Sequence, residues 1–282
     1  MAKVLKMNSR TKIVLINIVA LLICAVFLFP LYWIVISSLK SDAEIFKTPQ
    51  TLFPSEIYFD SYISQFIGPN SALRPFINSS IVAISSMILS LLLGIPAAYG
   101  LARFKIRGKK FIILTFLTTQ MLPVSLVLTP LFLIYSKLGF LNSYISPILS
   151  CSTIAIPFIV LILRPYFLSC PKELEDAAKI DGCRIFSAFI RIMLPISYPG
   201  VVTAAAFAFL FAWNDLIYSM TFNNAEVMRP ATAGIYHFMN KYGTQWNKIM
   251  AYGVLLVLPV ILIFIFLQRY IISGLTNGAM KG

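Results

Sequence analysis

The chain has 282 residues, of which 59% are hydrophobic and only 12% are charged. A soluble domain carries roughly 25% charged residues and cannot bury so large an apolar excess, so the composition excludes a water-soluble globule and indicates a protein of the lipid bilayer. The net charge of +13 does not indicate binding to nucleic acid, because the Lys and Arg residues form short clusters between apolar segments and no continuous basic face.

Six segments have the approximately 20 predominantly apolar residues that a membrane span needs. The first apolar run is too long for a cleaved signal peptide, so we expect it to remain as the first span. Backbone groups in lipid must be hydrogen-bonded internally, which predicts an all-α membrane protein with six transmembrane helices. The predicted spans are Ile13–Leu39, Ile77–Ala102, Phe111–Tyr135, Ile145–Leu163, Pro199–Met220 and Ile249–Ile272.

Positive charges are distributed unevenly between the two sides that these spans define. Sixteen Lys and Arg residues lie in the N-terminal tail, the second-to-third and fourth-to-fifth connections and the C-terminal end, whereas seven lie in the other connections. Cytoplasmic loops carry the excess of positive charge, so both termini are predicted to be cytoplasmic. Residues 1–12 and 273–282 are then cytoplasmic tails, and residues 13–272 form a single transmembrane domain.

The cytoplasmic loop 164–197 is longer than the others and carries both signs of charge. Pro171 suits a first helical position and Gly182 suits a helix end. A second short helix is predicted from about Arg184 to Met193, ended by Pro195. Acidic residues near the start of the first helix favour the positive end of its dipole: Glu173, Glu175 and Asp176.

Two adjacent small residues, Ala177 and Ala178, would let this loop helix dock closely into a groove on a partner protein. The residues alone leave a second interpretation open, in which the segment is an amphipathic helix that covers the membrane surface.

The same loop resembles the signature of the permease subunits of binding-protein-dependent ABC importers. That signature is Glu-Ala-Ala, three residues, Gly, nine residues and Ile-x-Leu-Pro. Here the chain has Asp176-Ala177-Ala178, three residues, Gly182, nine residues and Ile192-Met193-Leu194-Pro195. The departure is Asp176 in place of Glu, with Glu175 just before it, so which carboxylate faces the partner stays open.

Other segments are similar to the carbohydrate-uptake branch of that family, in particular to the six-helix permease subunit of maltose-type importers. They are Trp213-Asn214-Asp215, Leu258-Pro259, Gln268-Arg269-Tyr270 and the C-terminal stretch from Gly274 to Gly282.

The resemblance implies a type I ABC importer permease fold in the cytoplasmic membrane of a prokaryote, and translocation of a sugar or oligosaccharide by alternating access. It implies two ATP-binding cassette subunits that hold ATP and Mg²⁺, a second permease subunit, an extracellular or periplasmic sugar-binding protein and surrounding lipids. Alternatives are another polar solute, such as a glycerol-phosphate, or an ion-coupled secondary transporter. The residues implied to couple to the ATPase are Glu175, Asp176, Ala177, Ala178, Asp181 and Gly182.

The sequence contains no Gly-x-x-x-x-Gly-Lys-Ser/Thr loop, so we expect a non-catalytic chain whose ATP is hydrolysed by a partner. The single histidine, His237, has no second histidine near it, and the four cysteines have no Cys-x-x-Cys spacing. The sequence therefore predicts neither a catalytic site nor a metal site.

Polar residues within spans either bond neighbouring helices or line a hydrated path, and the first role is the more frequent one. Asp215 is the only acidic residue within or beside a span, and its position near the outer end of the fifth span favours a structural or gating role over proton coupling. The candidates for the translocation path are Asn78, Thr115, Thr118, Thr119, Gln120, Asn214 and Asp215.

Overall fold

The computed structural model describes residues 9–68, 71–240 and 243–279. A π-helix (Phe189–Met193), two 3₁₀ helices (Glu226–Met228 and Ala231–Phe238) and one antiparallel hairpin (β1, Met239–Asn240, with β2, Gly243–Thr244) accompany the α-helices. The α-helices are α1 (Ser9–Ser38), α2 (Asp42–Ile45), α3 (Asp60–Phe66), α4 (Leu73–Arg103), α5 (Lys109–Met121), α6 (Val124–Leu138), α7 (Ile145–Ser169), α8 (Glu173–Ile180), α9 (Ile185–Ala188), α10 (Leu194–Ile196), α11 (Tyr198–Trp213), α12 (Ile217–Phe222) and α13 (Trp246–Ala279). The all-α prediction is confirmed apart from the short hairpin.

Within the described residues, four helices are individually long and apolar enough to cross a membrane: α1, α4, α7 and α13. Two bent pairs supply the remaining candidates, because α5 and α6 meet at 100° and the stretch Ile185–Ile196 meets α11 at 80°. With each pair counted as one span, the described chain has the six spans that the sequence predicts.

The third predicted span, Phe111–Tyr135, is wrong as a single helix. α5 ends at Met121, Leu122 is extended, and Pro123 precedes the first residue of α6. Proline has no N–H to continue a helical ladder and forces the preceding residue out of the helical region. Pro123 is compatible with the break but does not by itself determine it, because α4 and α7 continue through Pro96 and Pro157.

The fifth predicted span, Pro199–Met220, is also interrupted, because α11 ends at Trp213 and α12 begins at Ile217. The carboxylate of Asp215 accepts hydrogen bonds from the backbone N–H groups of Tyr218 (3.0 Å) and Ser219 (2.9 Å). Both N–H groups lie in the first turn of α12, where backbone donors have no partner within the helix. Asp215 thus starts a second helix where one continuous helix was expected.

The loop between the fourth and fifth spans also differs in detail from the prediction. α7 continues to Ser169, so the loop begins at Cys170, and α8 begins at Glu173 and not at Pro171. Helical backbone runs through the π-helix and α10, so Pro195 does not end it. The helical stretch Ile185–Ile196 ends one residue after Pro195.

Two compact units divide the described chain, and α13 contributes residues to both. The first unit comprises the residues up to Ser71 together with Ile235–Leu255. Its connection after α1 is organised around Lys40, which is buried, donates to the carbonyl of Thr51 and lies 5.1 Å from the centre of the Trp33 ring. A buried ammonium needs such partners to offset the loss of water.

The second unit comprises Ala72–Gly234 and the chain from Leu256, and its core lies where α4, α7 and α11 pack together. Small residues allow these helices to approach one another closely. This is common in membranes, where the hydrophobic effect does not drive helices together and close packing takes its place. A Cβ atom on Gly94 of α4 would lie 2.7 Å from Ile159 Cγ2 of α7, and one on Gly200 of α11 would lie 2.9 Å from the Tyr166 ring. These two glycines therefore set the spacing of the three helices.

Candidate coupling surface and polar hollows

The helix α8 ends at a glycine that the backbone requires. Gly182 has a φ of +82°, which is in the left-handed region that residues with a Cβ atom rarely adopt. Its N–H donates to the carbonyl of Lys179 (3.0 Å), and the N–H of Cys183 donates to that of Ala178 (2.8 Å). These bonds satisfy carbonyls at the helix end, as in other glycine-terminated helices.

One side of α8 is fixed to the membrane domain by a buried ion pair. Glu175 Oε1 lies 2.6 Å from Arg103 Nε, and the two side chains are 11% and 6% exposed. The hydroxyl of Tyr99 donates to the other carboxylate oxygen (3.4 Å), and Arg103 also donates to the carbonyl of Cys170 (2.7 Å). Glu175 thus joins α8 to the end of α4, and Arg103 links that end of α4 to the residue that follows α7.

An aromatic cluster surrounds the same anchor. The ring of Tyr99 lies 5.6 Å from that of Phe167 in α7, 4.7 Å from that of Phe189 in the π-helix and 5.8 Å from that of Phe104. Such contacts between aromatic rings stabilise a packing arrangement beyond the area they bury. α4, α7 and the loop therefore meet in one packed cluster directly beneath α8.

The other side of α8 is exposed and has an apolar centre with charges around it. Ala177 and Asp181 are exposed, and Ile180 is 87% exposed. Asp176 is also exposed, and its hydrogen bond to Lys179 (2.8 Å), together with the positive charge of that residue, lowers the pKa of its carboxyl group. Ala178, by contrast, is buried.

Of the six residues predicted to couple to an ATPase, the structure therefore exposes Asp176, Ala177, Asp181 and Gly182, and it turns Glu175 and Ala178 inward. Their coupling role stays a prediction. The sequence did not indicate that Arg103 pairs with Glu175, because Arg103 is one of several positively charged residues between the second and third spans.

The three candidate threonines of the translocation path, Thr115, Thr118 and Thr119, are exposed on α5. Each hydroxyl donates to a carbonyl three or four residues earlier in its own helix. Gln120 instead donates across to the carbonyl of Ile154 (2.9 Å) and so links α5 to α7.

Asn78 is buried, and its side chain is engaged within the chain. Its amide donates to the carbonyls of Val227 and Arg229 (2.8 Å each), and its oxygen accepts from the hydroxyl of Tyr144 (2.8 Å). Asn78 therefore hydrogen-bonds to other segments of the chain, which is the more frequent role of polar residues in spans. Its assignment to the path stays a prediction.

Two adjoining hollows of about 290 Å³ and 340 Å³ bring the other candidates together within the second unit. Thr119 lines the first hollow, and Asn214 and Asp215 line the second. Both hollows share Val124, Ile154 and Tyr218 in their linings. Three further lining residues carry a hydroxyl or thiol group and were not among the sequence candidates: Cys151, Thr153 and Tyr218.

The sequence carries little signal for these three residues. Cys151 and Thr153 are small residues inside α7, and Tyr218 follows the break that Asp215 creates. The three-residue spacing between Asp215 and Tyr218 suits the hydrogen bond from the Tyr218 N–H to the Asp215 carboxylate, but only if helix α12 begins there.

Residues 90–277 match the family model described as the inner membrane component of binding-protein-dependent transport systems. The chain belongs to this family. The match extends from within α4 to within α13, and so includes the loop 164–197 and both hollows. The resemblance inferred from the loop motif is thereby confirmed, as is a location in a membrane.

Two relatives align with this permease over nearly its whole length. The sulfoquinovosyl glycerol transport system permease protein SmoH of Agrobacterium fabrum is 34% identical over 255 residues, which are 90% of this chain and 89% of the relative. The trehalose transport system permease protein SugB of Mycobacterium tuberculosis is 34% identical over 259 residues, 90% of this chain and 93% of the relative.

The fold of this permease is also similar to that of a solved structure. A chain from a bacterial ABC transporter involved in the import of the acidic polysaccharide alginate superposes with a TM-score of 0.79, covering 95% of this permease and 99% of that chain at 21% identity. The importer permease fold is thereby confirmed.

Proposed function

We propose that this permease is the translocating subunit of an ATP-driven, binding-protein-dependent importer of a sugar or oligosaccharide, and that it catalyses no reaction itself. The observation that carries the proposal is the construction of α8. Its inner side is joined to the end of α4 by the Arg103–Glu175 ion pair, and its outer side presents Ala177 and Ile180 to a partner.

The proposed complex contains two ATP-binding cassette subunits that hold ATP and Mg²⁺, a second permease subunit and a sugar-binding protein on the outer side. Both termini and α8 lie on the cytoplasmic side, in agreement with the positive-inside distribution. The family description supports the dependence on a binding protein and the membrane location. The absence of a phosphate-binding loop from the sequence supports separate ATPase subunits.

Movement is proposed to enter through α8 when the ATPase subunits close on ATP. Ala177 and Ile180 fill a groove of the ATPase, and Asp176 and Asp181 contact its rim. Asp176 is the better candidate than Glu175 for such a contact, because Glu175 is already paired with Arg103 inside the chain. The Arg103–Glu175 pair and the ring cluster at Tyr99 then carry the displacement to α4 and α7.

The hollows favour a neutral sugar over a phosphorylated solute. Their lining combines hydroxyl, amide and carboxylate groups with apolar walls, and within the described chain it includes Asp215 and no Lys or Arg. An anionic solute would be repelled by that carboxylate. Both relatives described above are named for carbohydrate solutes, which supports a sugar, and of the two named solutes trehalose is the neutral one.

A reconstituted transport assay tests this proposal. The permease is co-purified with its ATPase, second permease and binding protein, placed in proteoliposomes, and supplied with radiolabelled maltose, trehalose or sulfoquinovosyl glycerol. We expect uptake of a neutral sugar that requires ATP and the binding protein. Uptake driven by a proton gradient without ATP would contradict the proposal. ATP-dependent uptake of sulfoquinovosyl glycerol alone, which is an anionic sugar, would contradict the preference for a neutral sugar.

A further inference from the structure

Tyr218 lies where the two hollows adjoin, and its hydroxyl group is unusual among the polar groups there. The residue is only 4% exposed, and the hydroxyl has no hydrogen-bond partner within the part of the chain that the structure describes. Its ring is held by parallel stacking on Phe222, with ring centres 5.9 Å apart. Because a buried hydroxyl without a partner is costly, a water molecule or a bound ligand that paired with it would be stabilised there.

The other hydroxyls of the hollows already donate to the helix backbone. Thr119 donates to the carbonyl of Phe116 (2.8 Å), and Thr153 donates to that of Ser150 (2.7 Å). Tyr218 therefore differs from its neighbours in having both its donor and its acceptor capacity unused.

Asp215 offers a second, partly unused group beside it. Its carboxylate accepts from the N–H of Tyr218, the N–H of Ser219 and the hydroxyl of Ser219. An ionised carboxylate has about four acceptor positions, so one position remains for another donor. The three internal bonds hold its geometry fixed, which favours recognition because little ordering is required when a ligand binds.

We propose that the Tyr218 hydroxyl and the Asp215 carboxylate form a sugar-binding subsite within the translocation path. This inference deepens the proposed function and rests on it. Sugar hydroxyls both donate and accept, so one can pair with Tyr218 while a neighbouring one donates to Asp215. The apolar walls at Val124 and Ile154 suit the C–H faces of a sugar ring.

The Tyr218→Phe variant tests the subsite in the proteoliposomes described above, with labelled maltose and trehalose as probes. The substitution keeps the ring and its stacking and removes only the hydroxyl. We expect sugar uptake per assembled complex to fall about fivefold, the factor expected for loss of one neutral hydrogen bond, while binding-protein-stimulated ATPase activity stays within about twofold. The number of sugars moved per ATP therefore falls.

Tyr135→Phe is the matched control. Tyr135 is also buried, and its ring contacts that of Phe222 (5.1 Å), but its hydroxyl bonds to that of Ser150 (3.1 Å) inside the chain. Its removal is expected to leave the number of sugars per ATP unchanged. Asp215→Asn keeps acceptor capacity on one oxygen and is expected to reduce uptake, and a loss of pH-gradient dependence in this variant would instead indicate proton coupling at Asp215.

Three results would overturn the subsite. Unchanged uptake by Tyr218→Phe would show that the hydroxyl does not contact the sugar. A parallel loss of uptake and ATPase activity, or loss of the second permease during purification, would show that the hydroxyl instead bonds to a partner subunit or supports the fold. If the wild-type complex moves no sugar, the proposed function itself fails, and that outcome is distinct from a wild-type importer whose Tyr218→Phe variant is unaffected.

Discussion

Glu175 and Arg103 form a buried ion pair that joins a surface helix to a membrane helix. Removing two charges from water is expensive, and their mutual attraction together with hydrogen bonds from Tyr99 and to Cys170 offsets that cost. Such a pair contributes specific geometry more than net stability. Its position favours a mechanical role, in which α8 cannot move without the end of α4.

Replacing one partner of this pair is predicted to be far worse than replacing both. Glu175→Ala leaves Arg103 buried and unpaired and should destabilise the protein by about 3–5 kcal/mol. The double variant Arg103→Met with Glu175→Leu should recover most of the thermal stability, because hydrophobic residues of similar volume can occupy the site. Thermal unfolding of the purified complex measures both effects, and equal stability of the single variant and the wild-type protein would contradict the role of the pair.

At the scale of elements, the sequence predicted the spans and the coupling loop but not where helices break. Hydropathy detects the apolar segments because it sums over many residues. The break at Leu122-Pro123 lies at a proline, but α4 and α7 continue through prolines, so the residue type alone does not predict it. The break after Trp213 is accompanied by hydrogen bonds from the start of α12 to the carboxylate of Asp215. The motif also predicted α8 and its end at Gly182, whereas the inward turn of Glu175 required Arg103, which lies far away in the sequence.

The exposed side of α8 is predicted to contact the ATPase. Ala177→Asp would place a charge in the apolar contact and should leave the permease folded, since this side chain is exposed. We expect sugar uptake and binding-protein-stimulated ATPase activity to fall by at least tenfold, because an unpaired charge in a desolvated interface costs several kcal/mol. Ala177→Ser, which is similar in size and uncharged, serves as the control and should retain most activity. Normal uptake by Ala177→Asp would argue against docking through α8.

At the scale of the whole molecule, the distribution of charge predicts the orientation of the permease. The long connection that contains α8 should face the cytoplasm, and the connection after α1, built around Lys40, should face outward. The two connections lie on different sides of the membrane in this arrangement, although they share similarly exposed apolar residues.

Single cysteines test this orientation in a variant in which Cys24, Cys151, Cys170 and Cys183 are replaced by Ser or Ala. Ile180→Cys and Phe53→Cys occupy positions that are 87% and 70% exposed. A membrane-impermeant maleimide added to intact cells or right-side-out vesicles should label Cys at position 53 and should label Cys at position 180 only after the membrane is permeabilised. The reverse pattern would invert the topology and would separate α8 from any cytoplasmic ATPase.

The most apolar stretch of α1 has no residue buried against the rest of the described chain. Its side chains contact either acyl chains or another polypeptide, so the stability of this helix is decided by its surroundings. In a cell that makes this chain in excess over its partner subunits, α1 of the surplus chains would have no protein partner. Such unassembled subunits are expected to be degraded by membrane proteases. Because the chain itself covers so little of α1, we expect this chain and its partner subunits to be synthesised in matched amounts.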